Sequence, residues 1–209
     1  MMAEVNLLPQ EHYNRPTLEV ARSLLGCRLI RLEPDGTRVG GWISETEAYI
    51  GTADQACHAR HGRTDRNESM WGPPGHSYVY FTYGMHWLLN AVTERDGFPA
   101  AVLLRAIVPA EGKEIIESRR GHMPPESWTD GPAKLCQALS INGQQDGQDL
   151  CSPDSPLQIH QDITVPDKAV TRGPRVGLNN VPEPWHSKPW RFRVSHETMN
   201  QLSNGDGVQ

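Results

Sequence analysis

The sequence predicts a single mixed α+β domain, and three observations carry that reading. Its 209 residues are the length of one domain, enough to bury a proper core. Strand-like stretches flank turn residues twice, around Pro34-Asp35-Gly36 and around Tyr83-Gly84, as antiparallel hairpins do. Apolar residues also recur at helical spacing, as at Leu18, Ala21, Leu24 and Leu25, so helices and strands share the chain. Glycine (19) and proline (17) are frequent enough to add many turns and loops to this framework.

The first helix starts near Pro16 and stops at Gly26, using proline and glycine where each is tolerated. CRLIRLEPDGTRVGGWISETEAYI, residues 27–50, then reads as two strands joined by the Pro34-Asp35-Gly36 turn. On the second strand Glu45, Glu47 and Tyr49 alternate onto one face, about 6.6 Å apart per step of two. Carboxylates crowded beside apolar and aromatic groups are pushed apart in pKa, which suits one of them to acid or base work near neutrality. A solvated strand face at a sheet edge would carry the same letters.

From Gly51 to Ser77 there is no sustained period, and irregular segments of that length in compact domains are usually functional or disordered. Within it Arg60, Arg63 and Arg66 stand with His58 and His61 in nine residues. That basic patch suits bidentate phosphate contact or a solvated loop equally well. Cys57, His58 and His61 lack the further ligands that would complete a tetrahedral metal site, and no metal is expected.

SYVYFTYGMHWLLNAV, residues 77–92, alternates so that Tyr78 and Tyr80 share a face. Tyr83 projects from the hairpin tip beside Gly84. A tip tyrosine either folds back on its neighbours or serves as a wedge for something flat, such as a base stack. Asn90 and Arg105 interrupt apolar runs, and polar groups in such places need a partner or a function.

PAEGKEIIESRR, from Pro109, reads as a short helix whose Arg119 and Arg120 either touch phosphate or, the better fit, complement the dipole. GPAKLCQALSI, from Gly131, reads as another, with Leu135, Ala138 and Leu139 inward. Lys134 in its first turn sits best with an anion nearby. Further on, LQIH and WRFRV read as strands, and Arg172, Arg175, Lys188, Arg191 and Arg193 make a second basic cluster, partly solvated surface. The domain is expected to span 1–195, with 196–209 a polar, flexible tail.

A formal net charge of −5 gives nucleic-acid binding no support from totals alone, though the local distribution decides such contacts. Cys27, Cys57, Cys136 and Cys151 form no CxxC pair, which argues for free thiols in a reducing cytoplasm rather than a disulfide scaffold or zinc knuckle. The N-terminus lacks the pattern of a signal peptide, and no apolar run approaches the roughly 18 residues of a membrane span.

Six words in order carry a more specific resemblance: ETEAY at 45–49, His58 nine residues after Tyr49, YVYFTYGMHWLLN from Tyr78, LLRA around Arg105, GPAKLCQAL from Gly131 and RVGLNN from Arg175. Together they resemble the alkyladenine (3-methyladenine) DNA glycosylase family, from about Leu24 to Val194. The resemblance implies a curved antiparallel sheet with surrounding helices and a β-hairpin that enters the DNA minor groove.

By the same resemblance Glu47 is the general base that activates water for attack on C1′, and Arg105 a positioning residue beside that water. Tyr49, His58 and Tyr80 would sandwich the flipped base, Asn90 would exclude normal guanine, and Tyr83 would fill the gap in the stack. Further DNA contacts are expected from Arg60, Arg63 and Lys134. The implied substrate is double-stranded DNA with alkylated or deaminated purines, met by a monomer without cofactor, in a bacterial cytoplasm at the nucleoid or in a eukaryotic nucleus. No lysine adjoins the acidic strand to form a Schiff base with C1′, which points to a monofunctional hydrolase. The sequence departs from the family pattern at His86, where relatives carry tyrosine. A DNA-lesion binder without catalysis and a carbohydrate glycosidase using Glu45 and Glu47 as a pair remain as alternatives.

Overall fold

Asp35 and Gly36 turn the chain as their chemistry dictates. The Asp35 carboxylate accepts from the Thr37 amide at 2.9 Å and Gly36 takes φ 84°. From this turn run β1 (Arg28–Leu32) and β2 (Arg38–Ile50), antiparallel. The computed structural model describes residues 6–205, and its further strands are β3 (Ser77–Thr82), β4 (His86–Val92), β5 (Ala100–Glu111), β6 (Leu157–His160), β7 (Thr171–Gly173) and β8 (Arg191–Arg193). They form one open antiparallel sheet in the order β3-β4-β5-β2-β1-β6, with β8 on β2 and β7 on β8.

The long strand β2 is the axis of the sheet. One of its edges pairs with β5 throughout, whereas the other is divided between β1, up to Trp42, and β8, from Glu45 to Glu47. The handover coincides with register shifts between Ile43 and Thr46, where a β-bulge bends a strand and re-aims its side chains. A Cβ at Gly40 or Gly41 would lie 2.0 Å from the Leu29 carbonyl or 2.1 Å from that of Val108, so only glycine permits the close approach of the neighbouring strands there.

Helices α1 (Gln10–Tyr13), α2 (Thr17–Ser23), α3 (Lys113–Arg120), α4 (Pro132–Ala138) and α5 (His196–Ser203) accompany the sheet. α2 packs on β2, and α4 on β4 and β5. Val20, Ala21, Leu24, Leu29, Ile43, Leu104, Ile107 and Leu135 are buried between them. Alternation then assigns the opposite sheet face: Val102 and Leu104 belong to this core, while Ala101 packs with Cys57, Ala59, Met70 and Tyr78 from the long 51–76 segment. That segment is ordered by two 3-10 turns, His58–His61 and Asp65–Trp71, and buries a small cluster of its own.

Several expectations are corrected here. The start of the expected tail is α5, capped by the Ser195 side chain, which accepts from Thr198. Met199 on it is fully buried and Leu202 packs against the same core, which docks an otherwise polar segment; residues 206–209 of the tail lie outside the described residues. Arg175 leaves the solvated basic cluster, because it is buried against Asp54. Arg119 and Arg120 bond to Glu33, Ala138 and Gln137, so structural partners occupy both. Among the described residues no helix is long and apolar enough to cross a membrane.

Candidate active site

Packing of β2 against α2 decides which side chains of ETEAY reach the other face. Thr46 donates to the Ala21 carbonyl at 2.8 Å and Ala48 sits in the main core. Glu45, Glu47 and Tyr49 therefore point together to the opposite side. One rung of the sheet runs across them: Tyr78 opposite Asn90, Asn90 opposite Leu103, Leu103 opposite Glu47, and Glu47 opposite Arg191.

Glu47 has no solvent exposure. Its Oε2 accepts from the Tyr49 hydroxyl at 2.9 Å and from Arg105 Nη1 at 3.4 Å. Its Oε1 accepts from the Val176 amide at 2.7 Å. A carboxylate has about four acceptor positions, so one on Oε1 is left. Burial pushes the Glu47 carboxyl above its ordinary pKa, assisted by the charge of Glu45 and opposed by Arg105, the Val176 amide and Tyr49. Arg105 Nε meanwhile donates to Glu45 Oε1 at 2.7 Å, and Arg191 stands 3.6 Å from the same oxygen. The two glutamates are thus unequal: Glu47 is buried and Glu45 is bridged by two cations.

Above this group lies a cavity of about 400 Å³, within the range of small-molecule sites. Tyr49, His58, Tyr80, Tyr83, Asn90 and Arg105 all line it, so the sequence-predicted base-contacting residues converge on one space. The His58 ring stands edge-on to Tyr80 with centroids 4.4 Å apart, and its Nδ1 is 2.8 Å from the Tyr78 hydroxyl. Burial, then the charges of Arg66 and Arg60, push the His58 pKa down to about 4, leaving a neutral ring. Asn90 donates its amide nitrogen to the Tyr78 carbonyl at 2.9 Å, which fixes the orientation of its side chain.

The hairpin between β3 and β4 turns at Tyr83 and Gly84, both with positive φ (52° and 67°), as tight two-residue turns require. Tyr83 is 86% exposed and Met85 66%, an apolar tip at the mouth of an aromatic cavity.

A family model described as methylpurine-DNA glycosylase matches residues 11–198. The chain belongs to the methylpurine-DNA glycosylase family. Relatives named "Putative 3-methyladenine DNA glycosylase" include one from Methanocella arvoryzae, 49% identical over 187 residues (89% of this chain, 91% of the relative). Another, from Myxococcus xanthus, is 45% identical over 190 residues (91% of each chain). Membership supports a DNA glycosylase acting on alkylated bases.

Not every expected DNA contact is free in this glycosylase-family chain. Arg63 pairs with Glu68 at 2.7 Å, and the anion beside Lys134 is Asp130 at 2.6 Å. Arg60 bonds to the Gln55 carbonyl and the His61 ring and has no carboxylate partner among the described residues. Sequence reasoning missed the Val176 amide, a backbone donor that no residue type advertises. It also missed the clasp behind the site. Arg175 binds Asp54 in a buried bidentate pair at 2.6 and 2.9 Å and lies 4.7 Å from the Tyr49 ring centroid.

Proposed function

We propose that the protein flips alkylated or deaminated purines out of duplex DNA and hydrolyses their N-glycosidic bond with water activated by Glu47, leaving an abasic site. The observation that carries this reading is the Glu47 carboxylate, buried beneath the aromatic cavity with a single acceptor position unfilled. Water held there attacks C1′ and gives its proton to Glu47, while the C1′–N bond breaks and its electron pair leaves with the base. The carboxylate also stabilises the positive charge that develops at the sugar. Arg105 fixes the carboxylate and shares its charge with Glu45. Because Arg105 bridges both glutamates, they are poorly suited to the separate acid and base roles of a carbohydrate glycosidase.

A base alkylated at N3 or N7 is cationic and leaves as a neutral molecule. Tyr49 and Tyr80 offer it electron-rich faces. A neutral deaminated purine needs a hydrogen bond or a proton as it departs. In the tautomer in which the Tyr78 hydroxyl donates to Nδ1, neutral His58 carries its own proton on Nε2 and would serve as the donor. Asn90 at the cavity wall would exclude the exocyclic amino group of normal guanine, and Tyr83 would occupy the vacated stack. Wild-type protein acting as a monomer on duplexes with 7-methylguanine, hypoxanthine or ethenoadenine is expected to release free base and leave an alkali-labile abasic site. Release of none of the three would overturn the catalytic reading in favour of a lesion binder. A covalent adduct trapped by borohydride would overturn the monofunctional one.

The pH dependence has a definite sign. The attacking water needs ionised Glu47, whose pKa is raised by burial. On a 7-methylguanine duplex, whose base needs no acid, kcat/KM is expected to fall as pH drops through that raised value, with a slope of one. His58, titrating at about 4, should add no limb between about pH 5 and 8. A rate that is flat or rises toward acid would rule out Glu47 as the base.

The hairpin tip has its own test. Tyr83→Ala is expected to weaken binding of lesion duplex by about tenfold, the scale of one base–aromatic stack, without lowering the thermal midpoint, since the side chain is exposed. Equal affinity would remove the wedge role.

A further inference from the structure

Four charged side chains stand in a row on the cavity side of the sheet, Arg191, Glu45, Arg105 and Glu47, and the contacts along the row are unequal. Arg105 Nε donates to Glu45 Oε1 at 2.7 Å, whereas its Nη1 reaches Glu47 Oε2 at 3.4 Å. Arg191, opposite Glu47 in the β2–β8 register, stands 3.6 Å from the same Glu45 oxygen. Glu45 thus holds the shorter contact with Arg105, although Glu47 is the wholly buried carboxylate and has the greater need of a counter-charge. The register of β2 and β5 passes over Arg105: Thr46 lies opposite Leu104 and Glu45 opposite Ala106. Arg105 is therefore the extra residue of a β-bulge, a device that re-aims a side chain.

A guanidinium and a carboxylate pair most strongly as a fork, through two parallel N–H···O bonds. On Glu47 a fork would engage both oxygens, yet Oε2 already accepts from the Tyr49 hydroxyl and Oε1 from the Val176 amide. With about four acceptor positions on a carboxylate, the second prong would fill the last one on Oε1, the position assigned to water. With Nε held by Glu45, Nη1 alone contacts Glu47. We propose that Glu45 is a positioning residue for the hydrolysis: it anchors Arg105 through Nε and limits the Arg105–Glu47 contact to one arm, so that Glu47 keeps a place for water. Arg191 is the counter-charge that keeps Glu45 in the row. The proposal rests on Glu47 being the base.

The charges around the pair give this arrangement a definite sign. Glu47 meets Glu45 and Tyr49 on its own strand, Arg105 from β5, Arg191 from β8 and the Val176 amide, with Tyr80 of β3 on the wall of the same cavity. Burial raises its pKa and the Glu45 charge adds to that, while Arg105, the Val176 amide and Tyr49 oppose it. Glu45 faces a hollow of about 440 Å³ lined also by Arg105, Glu126, Asp130, Arg191, Arg193 and His196. Asp130 is paired there with Lys134. The His196 pKa is lowered, chiefly by burial, so the ring is neutral at pH 7. Removing the Glu45 charge releases Arg105 to Glu47 and favours its ionised form; removing Arg191 does the reverse.

The acidic limb of kcat/KM on a 7-methylguanine duplex is measured for wild type, Glu45→Gln, Glu45→Asp and Arg191→Gln. Glu45→Gln is expected to move the limb to lower pH by about one pH unit and to lower the plateau about tenfold, less than loss of the base itself. Glu45→Asp restores the charge and should return the limb toward the wild-type position. Arg191→Gln should move it to higher pH. The same displacements are read without DNA from the titration of the Glu47 carboxyl carbon in protein carrying 13C-labelled glutamate, its resonance assigned by its absence in Glu47→Gln. A rate lost in Glu45→Gln with the limb in place would show a merely structural role and overturn the proposal, as would a limb that moves to higher pH. If Glu45→Gln does not fold, Arg191→Gln decides alone, since it removes a partly exposed side chain; a limb at the wild-type position or lower would overturn the proposal. Failure of wild type to release base counts against the catalytic reading, and the carboxyl titration then decides the placement of Arg105.

Discussion

Glu47→Gln is expected to retain lesion-duplex binding and to slow single-turnover release of 7-methylguanine by about a hundredfold to ten-thousandfold, the range for loss of a positioned base. Glutamine keeps the shape of the side chain and can still accept from the Val176 amide, so the cavity should persist. What it lacks is the charge that takes the water's proton and faces the developing cation at C1′. Release at the wild-type rate would sink the proposed mechanism.

The same variant should be no less stable than wild type at neutral pH. The folded pKa of Glu47 is raised, so its stabilising contribution is complete below the unfolded value and is lost as pH rises through the folded one. Above it, the protein holds a buried charge at a cost. Neutral glutamine removes that cost, and the difference in melting midpoint should close as pH falls through the folded Glu47 pKa. A midpoint well below wild type at pH 7 would mean that the ionised carboxylate is a net structural asset.

Asp54→Ala is expected to be the most destabilising single change near the site. Both members of the Asp54–Arg175 pair are wholly buried, and removing one partner of such a pair costs about 3–5 kcal/mol because the other charge is stranded. In a chain of this size that corresponds to a fall of roughly 10 °C in melting midpoint. Asp54 also accepts from the amides of Ile50 and Ala56, closing the turn after β2. Arg175 reaches the carbonyls of Ala48 and Trp185 and lies against Tyr49 and Trp190. The pair therefore fastens the segment that carries Val176 to the strand that carries Glu47. Differential scanning calorimetry with a release assay at low temperature separates the two consequences. A midpoint within a few degrees of wild type would show that the pair is no anchor.

Much of this architecture was legible in the sequence, for identifiable reasons. The first hairpin is written in Asp35-Gly36 and the second in Tyr83-Gly84. Strand alternation alone placed Glu45, Glu47 and Tyr49 together, and six ordered words separated the roles of the two glutamates. What stayed hidden depends on partners distant along the chain. Asp54 carries no signal of its own and Arg175 reads as one of a basic cluster until 121 residues of separation are folded away. β7 has three residues, too few for a period. α5 presents one buried methionine on a polar background. The partners of Lys134 and Arg63, by contrast, are carboxylates close by in sequence that ordinary spacing rules could have flagged.

The Glu47 carboxylate is buried in the absence of any nucleotide, so the charge that would face C1′ in the proposed mechanism is desolvated in advance. In that mechanism selection then falls to the cavity wall: a purine whose exocyclic amino group meets Asn90 would be turned away before the desolvated charge could act on it.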